Sequence, residues 1–522
     1  MNDVGGPYEL PEGWEWTRIE EIALVNYRDP ALRDLPDDLP ITFVPMASVD
    51  AEKGVIAQTE ERPLKSVRKG FTPFSEGDVL FAKITPSMEN GKSAIALELL
   101  NGRGFGSTEF HVLNPENGVL SELLLYFVRQ ETFRREAKAN FAGTAGQLRV
   151  PPDFLRYHPF PLPPFPEQRR IVARIVELFT PLDAGVSALE TSLAQLKRYR
   201  QSVLKAAVEG RLTEYWRREH SDVEPASELL ERILKERRAK WEENELAKMA
   251  AKGKRPKNDR WKQKYKEPQV PETEGLPELP EGWMWAELNT VCQDITDGDH
   301  QAPPKSQEGV PFLVISNIRE GKLDFDNTRF VPRSYYEAIP LIRKPVKGDI
   351  LYSLVGSYGF PVIVDIEKEF CFQRHIGLIR PNKQINIKYL FYFLKSHLAF
   401  NQATKVATGT AQLTVPLSGL RRFNVPLPPI AEQHEIVSEI ERRLSVADQT
   451  EATTAANLRR AARLRQSILK KAFRGELVPQ DPDDEPASAL LEMIRTERAK
   501  TQPKKRRGRP RKKKTTTQTE LI

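Results

Sequence analysis

The 522-residue chain has only two cysteines, Cys292 and Cys371, with no Cys/His cluster beside either. That supports neither a disulfide framework nor a zinc site, and a reducing cytoplasm is the expected compartment. No apolar run approaches the ~18 residues a membrane helix needs. Residues Met1 to Gly13 are polar and carry acids, so they lack the basic-then-apolar layout of a signal peptide.

Catalytic motifs are equally scarce. Asn90-Gly91-Lys92-Ser93 matches the end of a phosphate-binding loop, but the full motif needs Gly at position 86, where the chain has Pro86. Gly104-Phe105-Gly106 is too short for a dinucleotide or adenosylmethionine loop. An amino-methyltransferase needs an Asn/Asp-Pro-Pro-aromatic motif; the nearest text, Leu162-Pro163-Pro164-Phe165, lacks the polar first residue. The seven histidines (111, 158, 220, 300, 375, 397 and 434) are scattered, and none pairs at metal spacing with Cys or another His. There is no carboxylate–lysine nuclease cluster and no Ser/His/Asp arrangement. So long a stretch without chemistry points to recognition rather than to an enzyme.

The composition, 39% hydrophobic and 29% charged, is that of a soluble globular protein, and the length implies two to four domains. The net charge of +7 is unevenly placed. The tail from Pro503 to Ile522 holds nine basic residues and one acid, Glu520; the stretch from Lys248 to Lys266 holds nine and one, Asp259. The remainder is mildly acidic. Any nucleic-acid binding must therefore use local positive faces, the linker or the tail.

The dominant feature is an internal repeat. Leu10-Pro11-Glu12-Gly13-Trp14 returns as Leu279-Pro280-Glu281-Gly282-Trp283, and Gly77-Asp78-Val79-Leu80 as Gly348-Asp349-Ile350-Leu351. Gly143-Thr144-Ala145-Gly146-Gln147-Leu148 returns, one residue shorter, as Gly409-Thr410-Ala411-Gln412-Leu413. Pro161-Leu162-Pro163-Pro164 with Glu167-Gln168, Arg200-Gln201-Ser202 and Glu224-Pro225-Ala226-Ser227 return as Pro426-Leu427-Pro428-Pro429 with Glu432-Gln433, Arg465-Gln466-Ser467 and Glu485-Pro486-Ala487-Ser488. The offsets stay between 261 and 271 and keep their order. A period this long is duplication of a whole domain-plus-helix unit, not a solenoid.

Each unit opens with a domain rich in Pro, Gly, aromatic and β-branched residues. Strand-like runs such as 78–84 and 362–364 alternate with helical stretches such as 120–138 and 387–399. The fold class is therefore mixed α/β (α+β). A long helix follows each Pro-rich stop. In the first copy Leu182, Leu189, Leu196 and Val203 recur at seven, with Val186, Leu193 and Ala207 between them and Arg200 as a basic interruption. The second copy offers Ala447, Leu458, Ala461, Ile468 and Ala472. The expected partner of each helix is the other, packed antiparallel. From Leu182 to Ala207 the helix spans about 39 Å, against about 34–36 Å for one DNA turn. A spacer and a plain oligomerisation coil both fit that pattern. The expected partition is 1–165, first domain; 166–278, spacer helix and basic linker; 279–430, second domain; 431–500, second spacer helix; 501–522, a disordered basic tail.

Polar turns carry the capacity to read DNA, because Asn, Gln, Ser, Thr, Lys and Arg can meet base edges or phosphates. In the first copy the candidates are Lys83, Thr85, Asn90, Lys92, Ser107, Thr108, Gln147 and Arg149. In the second they are Asp299, His300, Asn317, Arg319, Ser353, Ser357, Tyr358, Gln373, Arg374, His375 and Gln412. Ordinary solvated loops would show similar residues. The framework, with Gln147 and Gln412 on it, nevertheless repeats while the other loops diverge, as two readers of different sequences require. In the tail, Arg507 and Arg509 flank Gly508 in an AT-hook-like core, which also reads as a plain basic arm on phosphates.

Taken together, the two Leu-Pro-Glu-Gly-Trp starts, the run Gly77 to Pro86 with Glu89-Asn90-Gly91-Lys92, Gly104 to Phe110, the two Gly-Thr-Ala…Gln-Leu segments and the two Pro-Leu-Pro-Pro…Glu-Gln helix starts resemble the specificity subunit of a type I restriction–modification system. The likeness covers the chain except its tail. It implies two target-recognition domains held apart by two antiparallel helices, each domain reading one half of a bipartite duplex DNA target. It also implies two methyltransferase subunits and restriction/translocase subunits as partners. Adenosylmethionine, ATP and Mg would sit on those partners, with no cofactor, metal or membrane contact on this chain and no catalysis by it. Two other readings fit the same residues: a recognition subunit of another restriction–methylation class with catalysis in trans, and a scaffold for methyltransferase subunits that binds no DNA.

Overall fold

The computed structural model describes residues 5–144, 147–256, 258–300, 303–319 and 321–501. They form two compact units, one from Met1–Leu189 with Ala456–Ile522 and the other from Glu190–Ala455. Each division falls inside a long helix. The linear partition expected from the sequence differs from this one because each unit recruits the end of the other copy's helix.

In the first unit, Glu15–Arg18 pairs antiparallel with Pro159–Leu162, closing the domain's ends together. Two four-stranded sheets lie between them. One orders Glu60–Pro63, Pro40–Val44, Arg103–Gly106 and Thr72–Ser75; the other orders Ala23–Val25, Phe110–Pro115, Val79–Ala82 and Ser93–Ile95. The second unit repeats the plan. Met284–Glu287 pairs with Asn424–Leu427. A four-stranded sheet runs Cys292–Asp297, Ile376–Pro381, Ile350–Ser353, Pro361–Ile363, beside a three-stranded one of Arg329–Val331, Val310–Leu313 and Cys371–Phe372. Both cysteines are buried and free. The helical stretches expected over 120–138 and 387–399 are each broken in two. The first gives Ser121–Val128 and Glu131–Ala139. The second gives Ile387–Lys395 and His397–Val406, because extended Ser396 uses its hydroxyl to cap the new helix at Ala399.

The long helices are Phe165–Val208, the central helix, and Ile430–Ala472, the distal helix. They run antiparallel. In the first unit Asp183 meets Arg465 and Glu167 meets Gln480; in the second Arg200 meets Asp448 and Thr213 meets Glu432. The seven-residue seam is the least exposed face of the central helix, with Val203 and Ala207 fully buried. On the distal helix Thr454 is buried and Leu444 packs against the core, both at heptad positions the sequence pattern had passed over.

The repeated motifs clamp these helices. Trp14 Nε1 donates to Glu167 Oε2 at 2.9 Å, and Trp283 Nε1 donates to Glu432 Oε2 at 2.7 Å. Gln168 and Gln433 each donate to a carbonyl of the preceding Pro run and accept a backbone N–H from a neighbouring domain segment. After the central helix, Ala226–Ala251 docks on the second domain: Ala226 N donates to Gly282 O, and Leu229 and Ile233 are buried. After the distal helix, Ala487–Thr501 docks on the first: Ala487 N donates to Gly13 O, and Leu491 and Ile494 are buried. Each such buried side chain contributes about 1.5–3 kcal/mol.

Candidate DNA interface

Three segments converge in each domain, and main-chain hydrogen bonds fix them in the same way. In the first domain Lys83 N donates to Glu109 O, Val150 N to Lys83 O, and Thr85 N to Leu148 O. In the second, Leu354 N donates to His375 O, Val415 N to Leu354 O, and Gly356 N to Leu413 O. Bridges Ile84–Arg149 and Ala142–Arg149 correspond to Val355–Thr414 and Thr408–Thr414. The turn Ser107-Thr108-Glu109 hangs from Val44 O by Ser107 N, as Gln373-Arg374-His375 hangs from Leu313 O by Gln373 N. Backbone pairing alone thus aligns Lys83 with Leu354, Thr85 with Gly356, Thr108 with Arg374, Glu109 with His375 and Arg149 with Thr414. The clasp is shared, and so are Gln147/Gln412, Leu148/Leu413 and Val150/Val415 on its third segment; the side chains that differ are Lys83/Leu354, Thr85/Gly356, Thr108/Arg374, Glu109/His375 and Arg149/Thr414.

The first clasp is charged. Arg149 Nε and Nη2 donate to the two Glu109 carboxylate oxygens, each at 2.8 Å, and Nη1 donates to Gln147 O at 3.1 Å. Those hydrogen bonds hold the Glu109 carboxyl below its usual range. Half-buried Lys83 lies beside the pair, and burial pushes its ammonium pKa down, against the pull of Glu109. Thr108 and Gln147 are exposed. Thr85 donates to Glu89 at 2.5 Å, and Glu89 also pairs with Lys138, so Thr85 is tied into the loop that presents exposed Asn90. Ser107 accepts from Glu109 N at 3.2 Å.

The second clasp exposes Ser357, Arg374 and Gln412. Arg374 Nε reaches His375 Nε2 at 3.5 Å, and burial together with that guanidinium depresses the His375 pKa. Asp299 bridges to Gln373 and accepts from Tyr335 at 3.0 Å, while His300 pairs with Asp297 at 2.9 Å. Lys83, Thr85, Ser107, Thr108, Gln147 and Arg149 are therefore brought together, as are Asp299, Gln373, Arg374 and His375, and Ser357 with Gln412.

Other candidates are turned inward and corrected here. Asn317 is 3% exposed and its side chain accepts from Val314 N. Ser353, 1% exposed, accepts from Phe360 N. Tyr358 is buried against Phe400 and donates to Thr404. Lys92 spends its ammonium on Met46 O at 2.8 Å. Each is a polar group that burial obliges to find a partner inside the domain. Arg319 lies on the short strand Ile318–Arg319, away from the clasp pairing. Arg507 and Arg509 lie outside the described residues. Glu109, at the end of the Ser107-Thr108-Glu109 turn, joins this group through its place opposite Arg149, a pairing that sequence spacing does not show. Among the described residues no group of three His, Cys, Asp or Glu could hold a metal, and no helix is long and apolar enough to cross a membrane.

Comparison with known proteins matches residues 280–458 to the type I restriction modification DNA specificity domain. The chain is 28% identical to the type I restriction enzyme EcoAI specificity subunit of Escherichia coli, over 85% of this chain and 79% of that one. It is 27% identical to the EcoKI specificity subunit of Escherichia coli strain K12, over 95% and 98%. The chain belongs to the specificity subunits of type I restriction–modification systems. The fold of this specificity subunit agrees with that of a solved chain from work on complex assembly and conformational transition of the type I R-M system: TM-score 0.64, 21% identity, 90% of this chain and 100% of that one. The HsdS subunit from Thermoanaerobacter tengcongensis is similar at TM-score 0.50 and 22% identity, over 91% and 100%. As a specificity subunit the protein is a non-catalytic recognition component of a restriction–modification complex.

Proposed function

We propose that each clasp reads one half of a bipartite duplex DNA target, and that the chain directs adenine methylation and restriction by partner subunits. The observation that carries this reading is the shared main-chain clasp bearing different side chains at its Lys83/Leu354, Thr108/Arg374, Glu109/His375 and Arg149/Thr414 positions. A shared scaffold keeps the approach to DNA constant, while Lys83, Thr108 and Arg149 on one clasp and Arg374 and His375 on the other offer different donors and acceptors to base edges. In this reading two methyltransferase subunits and the restriction/translocase subunits bind the chain, and adenosylmethionine, ATP and Mg belong to those subunits.

The test is N6-methyladenine mapping across the genome of cells with and without this gene. Loss of one split motif on deletion is the expected result. An unchanged methylome would refute the reading. Replacing residues 279–430 with the corresponding domain of another specificity subunit should change one half of the motif only.

A further inference from the structure

The Arg149–Glu109 pair has a definite hydrogen-bonding consequence. A guanidinium carries five N–H donors in a plane. Nε–H and the adjacent Nη2–H are taken by the Glu109 carboxylate, and Nη1 donates one hydrogen to Gln147 O. Two hydrogens remain, one on each terminal nitrogen. With the Gln147 carbonyl on the Nη1 hydrogen nearest Cδ, these two point side by side off the end of the group, a planar fork braced along one edge by an acid. The Arg149 side chain is 37% exposed, so the group is in reach of a ligand. The fork's direction is locked by three hydrogen bonds before any ligand arrives, so little side-chain freedom is lost on binding.

We infer that Arg149 recognises a single guanine in the half-site read by the first domain, its end-on fork donating to O6 and N7 in the major groove. This rests on the recognition function proposed above and assigns one base within it. Two adjacent acceptors on one base edge are the complement of such a fork, and guanine is the base that presents them there. A DNA phosphate presents paired oxygens too, but phosphate grips position a protein without carrying sequence. The clasp places Thr414 where Arg149 stands and His375 where Glu109 stands, so the second domain lacks the fork altogether. A feature present on one reader and absent from the other is what base choice requires.

The test uses full-length variants expressed with their own methyltransferase partners, scored by methylome mapping and by methylation rates on duplexes varied one base at a time. Arg149→Ala should relax one G·C position of one half-site, lowering discrimination there by about 5- to 150-fold, while the other half-site stays intact. Arg149→Lys keeps the charge but not the fork and should relax the same position. Continued reading of the other half-site shows that each variant is folded. Glu109→Gln separates guanine from phosphate. If Arg149 reads guanine, loosening the fork reduces discrimination at that one position. If it grips phosphate, removing the neighbouring negative charge tightens binding to every sequence alike. Uniform weakening by Arg149→Ala with an unchanged motif, or a first-domain half-site without a G·C pair, overturns the inference while leaving bipartite recognition standing. A methylome indifferent to deletion of the gene overturns both. The transplant Thr414→Arg with His375→Glu should introduce a guanine preference into the second half-site.

Discussion

Arg200 on the central helix donates to Asp448 of the distal helix at 2.6 Å, with Glu451 at 2.5 Å. One repeat away, Arg465 of the distal helix pairs with Asp183 of the central helix. The basic residue that interrupts the apolar seam in each copy is thus answered by an acid of the other copy. Because the two helices are antiparallel, both pairs are satisfied in a single register.

The Arg200 pair should be worth little in stability and more in register. Exposed ion pairs contribute about 0.2–1 kcal/mol, and Asp448 is 70% exposed. Arg200→Ala should lower stability by about 1 kcal/mol or less in urea unfolding. Arg200→Glu should cost more, and adding Asp448→Arg should recover part of the loss. A double-mutant cycle with no coupling would show that the pair does nothing.

Gly210 and Gly475 end the two long helices in the left-handed region, each with φ of +70°. A Cβ on Gly475 would lie 2.2 Å from Pro11 Cγ, and one on Gly210 would lie 2.3 Å from Pro280 Cγ. Gly475→Ala therefore pays about 1–2 kcal/mol for backbone conformation and also forces the Leu-Pro-Glu-Gly-Trp segment off its seat. The expected result is a clear drop in the melting temperature and faster proteolysis at the N-terminus. An alanine variant as stable as the parent would contradict the close contact.

His158 gives a pH prediction. Its ring is enclosed by Phe127, Phe133 and Phe154, and burial pushes its pKa down to about 4. The unfolded chain takes up the proton near 6.5 and the folded one only near 4. Stability linked to this ring is therefore complete above about pH 6.5 and is lost as pH falls toward 4, by an amount on the order of 2–3 kcal/mol. His158→Phe keeps an aromatic ring in the cage and removes the titration. Its denaturation midpoint should fall less between pH 7 and pH 4.5 than that of the parent; parallel curves would count against the account. His111, buried and also pushed down to about 4, would keep part of the acid limb in both proteins.

If the paired helices set the unread gap, four residues inserted near Leu193 add about 6 Å of helix. Methylome mapping should then show either a longer gap between the half-sites or no methylation. Full activity with the parental gap would exclude a spacer role.

The parts of this protein that could be read from sequence are those that repeat. Leu-Pro-Glu-Gly-Trp, the Pro-rich helix starts and the Glu-Pro-Ala-Ser segments recur because each performs a packing task twice: Trp14 and Trp283 bond buried glutamates, and Ala226 and Ala487 dock through their backbone N–H groups. The seven-residue seam was legible for the same reason, since periodic burial leaves a periodic pattern. The candidate interface was less so. A polar residue in a turn looks alike whether it faces solvent or, like Asn317 and Ser353, closes a hydrogen bond inside the domain.

By itself the sequence determined the duplication, the mixed α/β domains, the long helices and the recognition class, because these depend on order and periodicity along the chain. Only the tertiary structure decided that each domain is completed by the end of the other copy's helix. It also decided that Glu109, 40 residues before Arg149, fixes the direction of that guanidinium. Both facts are pairings between segments distant in the chain, and a contact of that kind leaves no periodicity on either partner.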